Sequence, residues 1–181
     1  MAKILGIAGS LRRASFNAAL LRAAVELAPA GTSIEIASIH DIPLYDADVE
    51  AQGIPAAVVE LKEKVVAADA LLLVTPEYHN SIPGVFKNVI DWLSRPAADA
   101  PRVFGNRHVT LIGASPGPFG TVQAQRAWLP VLRTLRMRPW FGAPLYVSAA
   151  ANVFDGEGRL VDADVRARLQ QLLSDFAQAI S

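Results

Sequence analysis

Residues 9–17, Gly-Ser-Leu-Arg-Arg-Ala-Ser-Phe-Asn, put two hydroxyls, two guanidinium groups and an amide directly behind the apolar run Lys3 to Ala8. Where a helix starts in such a turn, its first backbone N–H groups lack intrahelical partners and carry the positive end of the helix dipole. Anions bind at such places. Ser10 and Ser15 can add hydroxyl donors, Asn17 an amide, and Arg12 a planar charged fork suited to phosphate oxygens. The segment has neither the Gly-Lys-Ser/Thr ending of a nucleotide-triphosphate loop nor a Gly-x-Gly-x-x-Gly dinucleotide fingerprint. What remains resembles a cradle for a single phosphate. An ordinary reading stands beside it, in which Gly9 ends a strand and Ser15 or Asn17 caps the following helix without any ligand.

A second polar cluster follows the apolar run Ala70 to Thr75. Pro76 stiffens the exit from that run, and Pro83 suits the opening of a helix. Between them Glu77, Tyr78, His79, Asn80 and Ser81 could lay an aromatic face and backbone donors along a flat heterocycle. The plainer alternative is a connection in which Ser81 caps a helix and Tyr78 covers the core. A third cluster, Ala-Ser-Pro-Gly-Pro-Phe-Gly-Thr over 114–121, contains Ser115, Gly117 and Gly120. No residue type here supplies covalent or metal chemistry of its own. There is no Cys, and His40, His79 and His108 are widely spaced, so the expectation is no metal site and no catalytic side chain.

The elements that must position these clusters alternate along the chain. Strands are expected at Lys3–Gly9, Ser33–Ile39, Ala70–Thr75, His108–Ser115 and Leu145–Ser148. Helical spacing marks Phe16–Leu27, about Pro55–Ala67, Pro83–Leu93, Thr121–Leu135 and Asp162–Ile180. Residues 40–55, with breakers Pro43, Gly53 and Pro55, read as a loop, and Asp155-Gly156 suits a tight turn. Regular alternation of this kind implies one parallel sheet with helices on both faces. Such sheets bind ligands at the carboxyl ends of their strands, where strand order reverses. All three clusters belong to those ends.

With 181 residues and a 52% hydrophobic fraction, the chain is expected to form one domain spanning 1–181. Seventeen basic and seventeen acidic residues cancel, so no overall field points to nucleic acid or membrane partners. No apolar run approaches the roughly 18 residues that span a bilayer. The start of the chain is too short to read as a signal peptide, and a soluble cytoplasmic protein is expected. Residues 126–141 mix Trp128, Leu132, Leu135, Trp140 and Phe141 with Arg126, Arg133, Arg136 and Arg138. That composition suits either core anchors beside a solvated face or a protein interface, to which Phe86 and Trp92 could contribute.

The first two clusters, in this order and separation, resemble the NADPH-dependent FMN reductase family within the flavodoxin-like superfamily, nearest to bacterial quinone and chromate reductases. The likeness runs from the first strand to the helix around Trp128 and includes Asp41–Val49. It implies a flavodoxin-like doubly wound α/β fold, a five-stranded parallel sheet of order 2-1-3-4-5. It also implies FMN as cofactor, NAD(P)H as co-substrate, and homodimers or homotetramers with flavin sites near subunit boundaries. The acceptors would be quinones or similar molecules, with chromate, azo and nitro compounds as candidates, and the kinetics ping-pong through the one flavin. By this resemblance Ser10, Arg12, Ser15, Phe16 and Asn17 surround the FMN phosphate. Pro76, Glu77, Tyr78 and His79 line the isoalloxazine ring with Ser81 nearby, while Ser115, Gly117 and Gly120 approach its pyrimidine side. The family usually reads Pro-Glu-Tyr-Asn where this chain has Pro-Glu-Tyr-His. If that position serves through its backbone N–H, His79 is tolerated; if through its side chain, His79 brings a group titrating near neutrality. Two other classes share the fold: an electron-carrier flavodoxin, which needs a partner reductase, and a flavin-free regulatory protein.

Overall fold

In the computed structural model, which describes residues 1–180, the sheet grows outward from β1 (Ala2–Ala8). This strand pairs in parallel with β2 (Thr32–Ala37) on one side and β3 (Ala70–Val74) on the other. Beyond β3 lies β4 (His108–Ala114), also parallel. Strand order is therefore β2-β1-β3-β4, and it reverses between β1 and β3.

The fifth position is where the structure departs from the expected single strand. Two short strands share it: β5 (Arg138–Pro139) pairs with the start of β4, and β6 (Leu145–Val147) with its end. Pro139 is tolerated in β5 because its neighbours Arg138 and Trp140 donate to Arg107 O and Val109 O, which turns position 139 away from β4 at the sheet edge.

Alternation along the strands builds two cores. Ile4, Leu72, Val74 and Ile112 point to one face, where α1 (Phe16–Glu26) and α8 (Ala163–Ala179) cover them with Leu20, Leu21, Leu173 and Phe176. Leu5, Ile7, Leu71 and Leu73 point to the other. There they meet α3 (Ala56–Ala67), α4 (Gly84–Leu93) and α6 (Val122–Thr134) through Val58, Phe86, Trp92 and Trp128. Both faces being covered explains why β1 and β3 read as near-continuous apolar runs.

Phe86 and Trp128 are fully buried and meet edge to face at 4.9 Å, so they are core residues. Trp92 is also buried, and its indole N–H donates to Pro43 O at 2.8 Å. Three short helices lie outside the expected ones, the first of them within the 40–55 stretch expected to be a loop. One is α2 (Ala47–Gln52), capped by Asp46, whose carboxylate accepts from Asp48 N at 2.8 Å. The others are α5 (Ala100–Phe104) and α7 (Ala150–Val153). Among the described residues no helix is long and apolar enough to cross a membrane.

Candidate functional site

The segments leaving β1, β3 and β4 converge on one cleft at the reversal of strand order. Of the residues expected there, Ser10, Arg12, Ser15, Phe16, Asn17, Pro76, Glu77, Tyr78 and Ser115 line it. His79, Ser81, Gly117 and Gly120 lie on the bordering loops and not on its wall.

The first wall is built by local hydrogen bonds that leave donors over. Ser15 caps α1, its Oγ accepting from Ala18 N at 3.3 Å, and Ser10 Oγ accepts from Arg12 N at 3.3 Å. Each hydroxyl thus spends a lone pair inside the protein and keeps its proton to donate. The N–H groups of Phe16 and Asn17, at the first turn of α1, have no protein partner among the described residues. Arg12 is exposed, donates from Nη2 to Ala14 O at 2.7 Å, and lies 5.9 Å from the centre of the Phe16 ring. Gly9 serves packing here: a Cβ at this position would overlap the Phe86 ring. Hydroxyl protons, backbone N–H groups and a guanidinium make this end of the cleft a set of donors. Its natural occupant is an anion.

Asn17 has a second task that its position in the sequence does not reveal. It is only 4% exposed, and its amide meets the end of β4 at both ends. Nδ2 donates to Ala114 O at 2.8 Å while Oδ1 accepts from Ala114 N at 2.9 Å. Ala114 and Pro116 therefore join the cleft as residues that sequence reasoning did not single out. Pro116 sits within the third cluster and was open to discovery. Ala114 opens the same cluster, but nothing there marks its backbone as the partner of an amide 97 residues away.

The opposite wall is a tight hairpin. Tyr78 and Ser81 exchange backbone hydrogen bonds, Tyr78 N to Ser81 O at 3.2 Å and Ser81 N to Tyr78 O at 3.0 Å. The two residues between them, His79 and Asn80, both have positive φ, 51° and 59°. Two-residue turns of the I′ type require this at both positions, and Asn and His tolerate it better than most side chains. This backbone suits both His, found here, and Asn, the residue usual in the family. His79→Asn should leave apoprotein stability within about 0.5 kcal/mol, whereas His79→Val should cost about 1–2 kcal/mol through the strained left-handed backbone. Urea denaturation of the two variants decides it; a Val variant as stable as the parent would show that the turn relaxes.

The third loop is pinned at its base. Ser115 Oγ donates to Gly120 O at 2.6 Å, and Ser115 N to Val147 O at 2.9 Å. Gly120 has φ +61°, and a Cβ there would come within 2.9 Å of the Tyr146 carbonyl carbon. Its absence of a side chain is thus required twice over. The loop presents Phe119, 76% exposed, and the hairpin presents Tyr78, 51% exposed. Each of these two loops thus carries one aromatic side chain in solvent.

A doubly wound parallel sheet of order β2-β1-β3-β4-β5, with a cleft at the reversal of strand order, defines a flavodoxin-like protein. The model of the NADPH-dependent FMN reductase family matches residues 2–152, and the chain belongs to that family. It is 47% identical over 171 residues to an NAD(P)H-dependent FMN reductase of Pseudomonas aeruginosa, covering 94% of this chain and 91% of the relative. It is 37% identical over 175 residues to a 2-hydroxy-1,4-benzoquinone reductase of a Burkholderia species, covering 97% and 94%. Among solved structures, FerB, a flavoenzyme NAD(P)H:(acceptor) oxidoreductase from Paracoccus denitrificans, matches with a TM-score of 0.88 and 29% identity over 99% of this chain and 97% of that one. The protein is an oxidoreductase whose cofactor is FMN and whose electron donor is NAD(P)H. The donor set at the start of α1 fits that cofactor, since FMN carries one phosphate.

Proposed function

We propose that this protein reduces quinones with electrons from NAD(P)H, holding FMN in the cleft between the α1 turn and the Tyr78 hairpin. The observation that carries the reading is the donor-only character of the α1 end: two hydroxyl protons, two unpartnered N–H groups and the Arg12 guanidinium on one small surface. Ser10, Arg12, Ser15, Phe16 and Asn17 would hold the phosphate. Pro76, Glu77, Tyr78, His79 and Ser81 would form the side facing the ring, and Ser115, Gly117 and Gly120 the pyrimidine side. Held there, FMN would supply the hydride- and electron-transfer chemistry between nicotinamide and acceptor. The chain's own part is to bind, orient and control access. The phosphate end neutralises charge with groups already in place, and the two exposed aromatics offer flat apolar faces to flat substrates.

Quinones are favoured as acceptors because a benzoquinone reductase resembles the chain over nearly its whole length. A cytoplasmic location agrees with the use of NAD(P)H. A homodimer or homotetramer agrees with the exposed apolar residues Leu129, Phe141 and Tyr146 around the broken fifth strand. Anaerobic mixing of the FMN-loaded protein with NADPH or NADH, followed at the flavin absorbance, tests the activity directly. Rapid bleaching without any partner protein, and recovery on adding a benzoquinone, is the expected result. Bleaching only in the presence of a separate reductase would make the chain an electron carrier instead.

A further inference from the structure

We infer that Glu77 is a positioning residue: its carboxylate tethers the ring-side loop to the first turn of α6 and presets that loop before the cofactor arrives. Glu77 Oε2 accepts from Ala124 N at 2.9 Å, across 47 residues of sequence. Ala124 is the third residue of α6, whose N–H is ordinarily met by the N-cap side chain. Here the N-cap residue Thr121 makes no capping bond. Its Oγ1 accepts from Gln125 Nε2 at 3.1 Å, and its side chain is buried against Gly113. Helix α6 is therefore capped from another element, by a carboxylate placed at the positive end of the helix dipole.

What that carboxylate tethers matters more than what it caps. Its neighbours Pro76 and Tyr78 both line the cleft. The hairpin beyond is held by Tyr78 and Ser81 bonding to each other, and Thr75 Oγ1 donates to the adjacent Pro76 O. Among the described residues, the bond from Glu77 is the one hydrogen bond tying 76–81 to another element. A loop fastened at that point keeps its backbone donors and the Tyr78 ring in register with the cleft. A loop without it must be ordered by the ligand, at the expense of affinity.

The inference rests on the flavin reading above, and the test separates the two. Affinities of FMN and riboflavin for the apoprotein are measured by calorimetry for the parent, E77A and E77Q, with thermal midpoints alongside. A tether on the ring side acts on whatever both ligands share. E77A should therefore weaken FMN and riboflavin by the same factor, about tenfold. E77Q retains a side-chain oxygen for Ala124 N and should stay within about threefold of the parent. Should E77A not fold, E77D takes its place, one methylene short of the reach. Unchanged affinities with a lowered midpoint would reduce Glu77 to a helix cap and overturn the proposal. So would E77Q falling as far as E77A, because charge and not the bond would then be the cause. A parent protein that binds neither flavin would instead overturn the cofactor site itself.

Discussion

Asn17→Ala is expected to destabilise the apoprotein by about 2–6 kcal/mol, a large share of the 5–15 kcal/mol typical of a whole domain. The residue is buried, and both ends of its amide are used on Ala114, at 2.8 and 2.9 Å. Truncation removes one hydrogen-bonding partner from a buried N–H and another from a buried C=O. Each orphaned group costs roughly 1–3 kcal/mol. The damage is not confined to stability. This amide is what fixes the start of α1 against the end of β4, so the donors of the first turn lose their registration with the third loop. FMN should bind more weakly even in the fraction of molecules that remain folded. Asn17→Asp is an instructive companion: a carboxylate can still accept from Ala114 N but faces Ala114 O with no proton to give. Urea denaturation of the apoproteins measures the first effect and flavin titration the second. A loss below 1 kcal/mol for Asn17→Ala would mean that water replaces the amide on both backbone groups.

Arg12→Ala should leave stability nearly untouched and strike the cofactor. The side chain is exposed, and its protein contacts are one carbonyl, Ala14 O at 2.7 Å, and the face of Phe16 at 5.9 Å. Against a phosphate, the guanidinium offers a charge-assisted bond worth about 1.5–3 kcal/mol, so FMN affinity should drop roughly 10- to 150-fold. Riboflavin, which lacks the phosphate, should bind the variant and the parent alike. Calorimetry with both ligands makes the comparison, and raising the salt concentration should narrow the gap between parent and variant for FMN alone. Equal FMN affinities would leave the phosphate to the hydroxyls and backbone N–H groups of the α1 turn.

Much of the architecture is legible in the chain. The two-faced apolar runs of β1 and β3, the helical spacing of α1 and α6, and the three small-polar clusters behind the strands point to a doubly wound sheet with a cleft on one edge. These signals are local, because burial on both faces and helical periodicity leave their mark within a dozen residues. Nine of the residues singled out from those clusters do line the cleft, since each cluster follows its own strand and parallel strands share one carboxyl edge.

Tertiary structure decided what depends on distant partners. Trp128 and Phe86, open to reading as interface residues, meet in the core because α4 and α6 lie side by side on one face. The fifth strand is divided, with β5 on the start of β4 and β6 on its end, a pairing that only the neighbouring strand defines. Residue 79 is governed by a hairpin backbone whose left-handed φ is set by the bonds between Tyr78 and Ser81. Asn17 and Glu77 show the limit most clearly. In the sequence each is a polar residue in a turn, suited to a ligand or to a cap. In the fold, Asn17 belongs to Ala114 and Glu77 to the first turn of α6. A side-chain amide or carboxylate carries no trace of which backbone group it will meet; that is fixed when packing of the sheet and helices brings a donor or acceptor within 3 Å and excludes the water that would otherwise satisfy it.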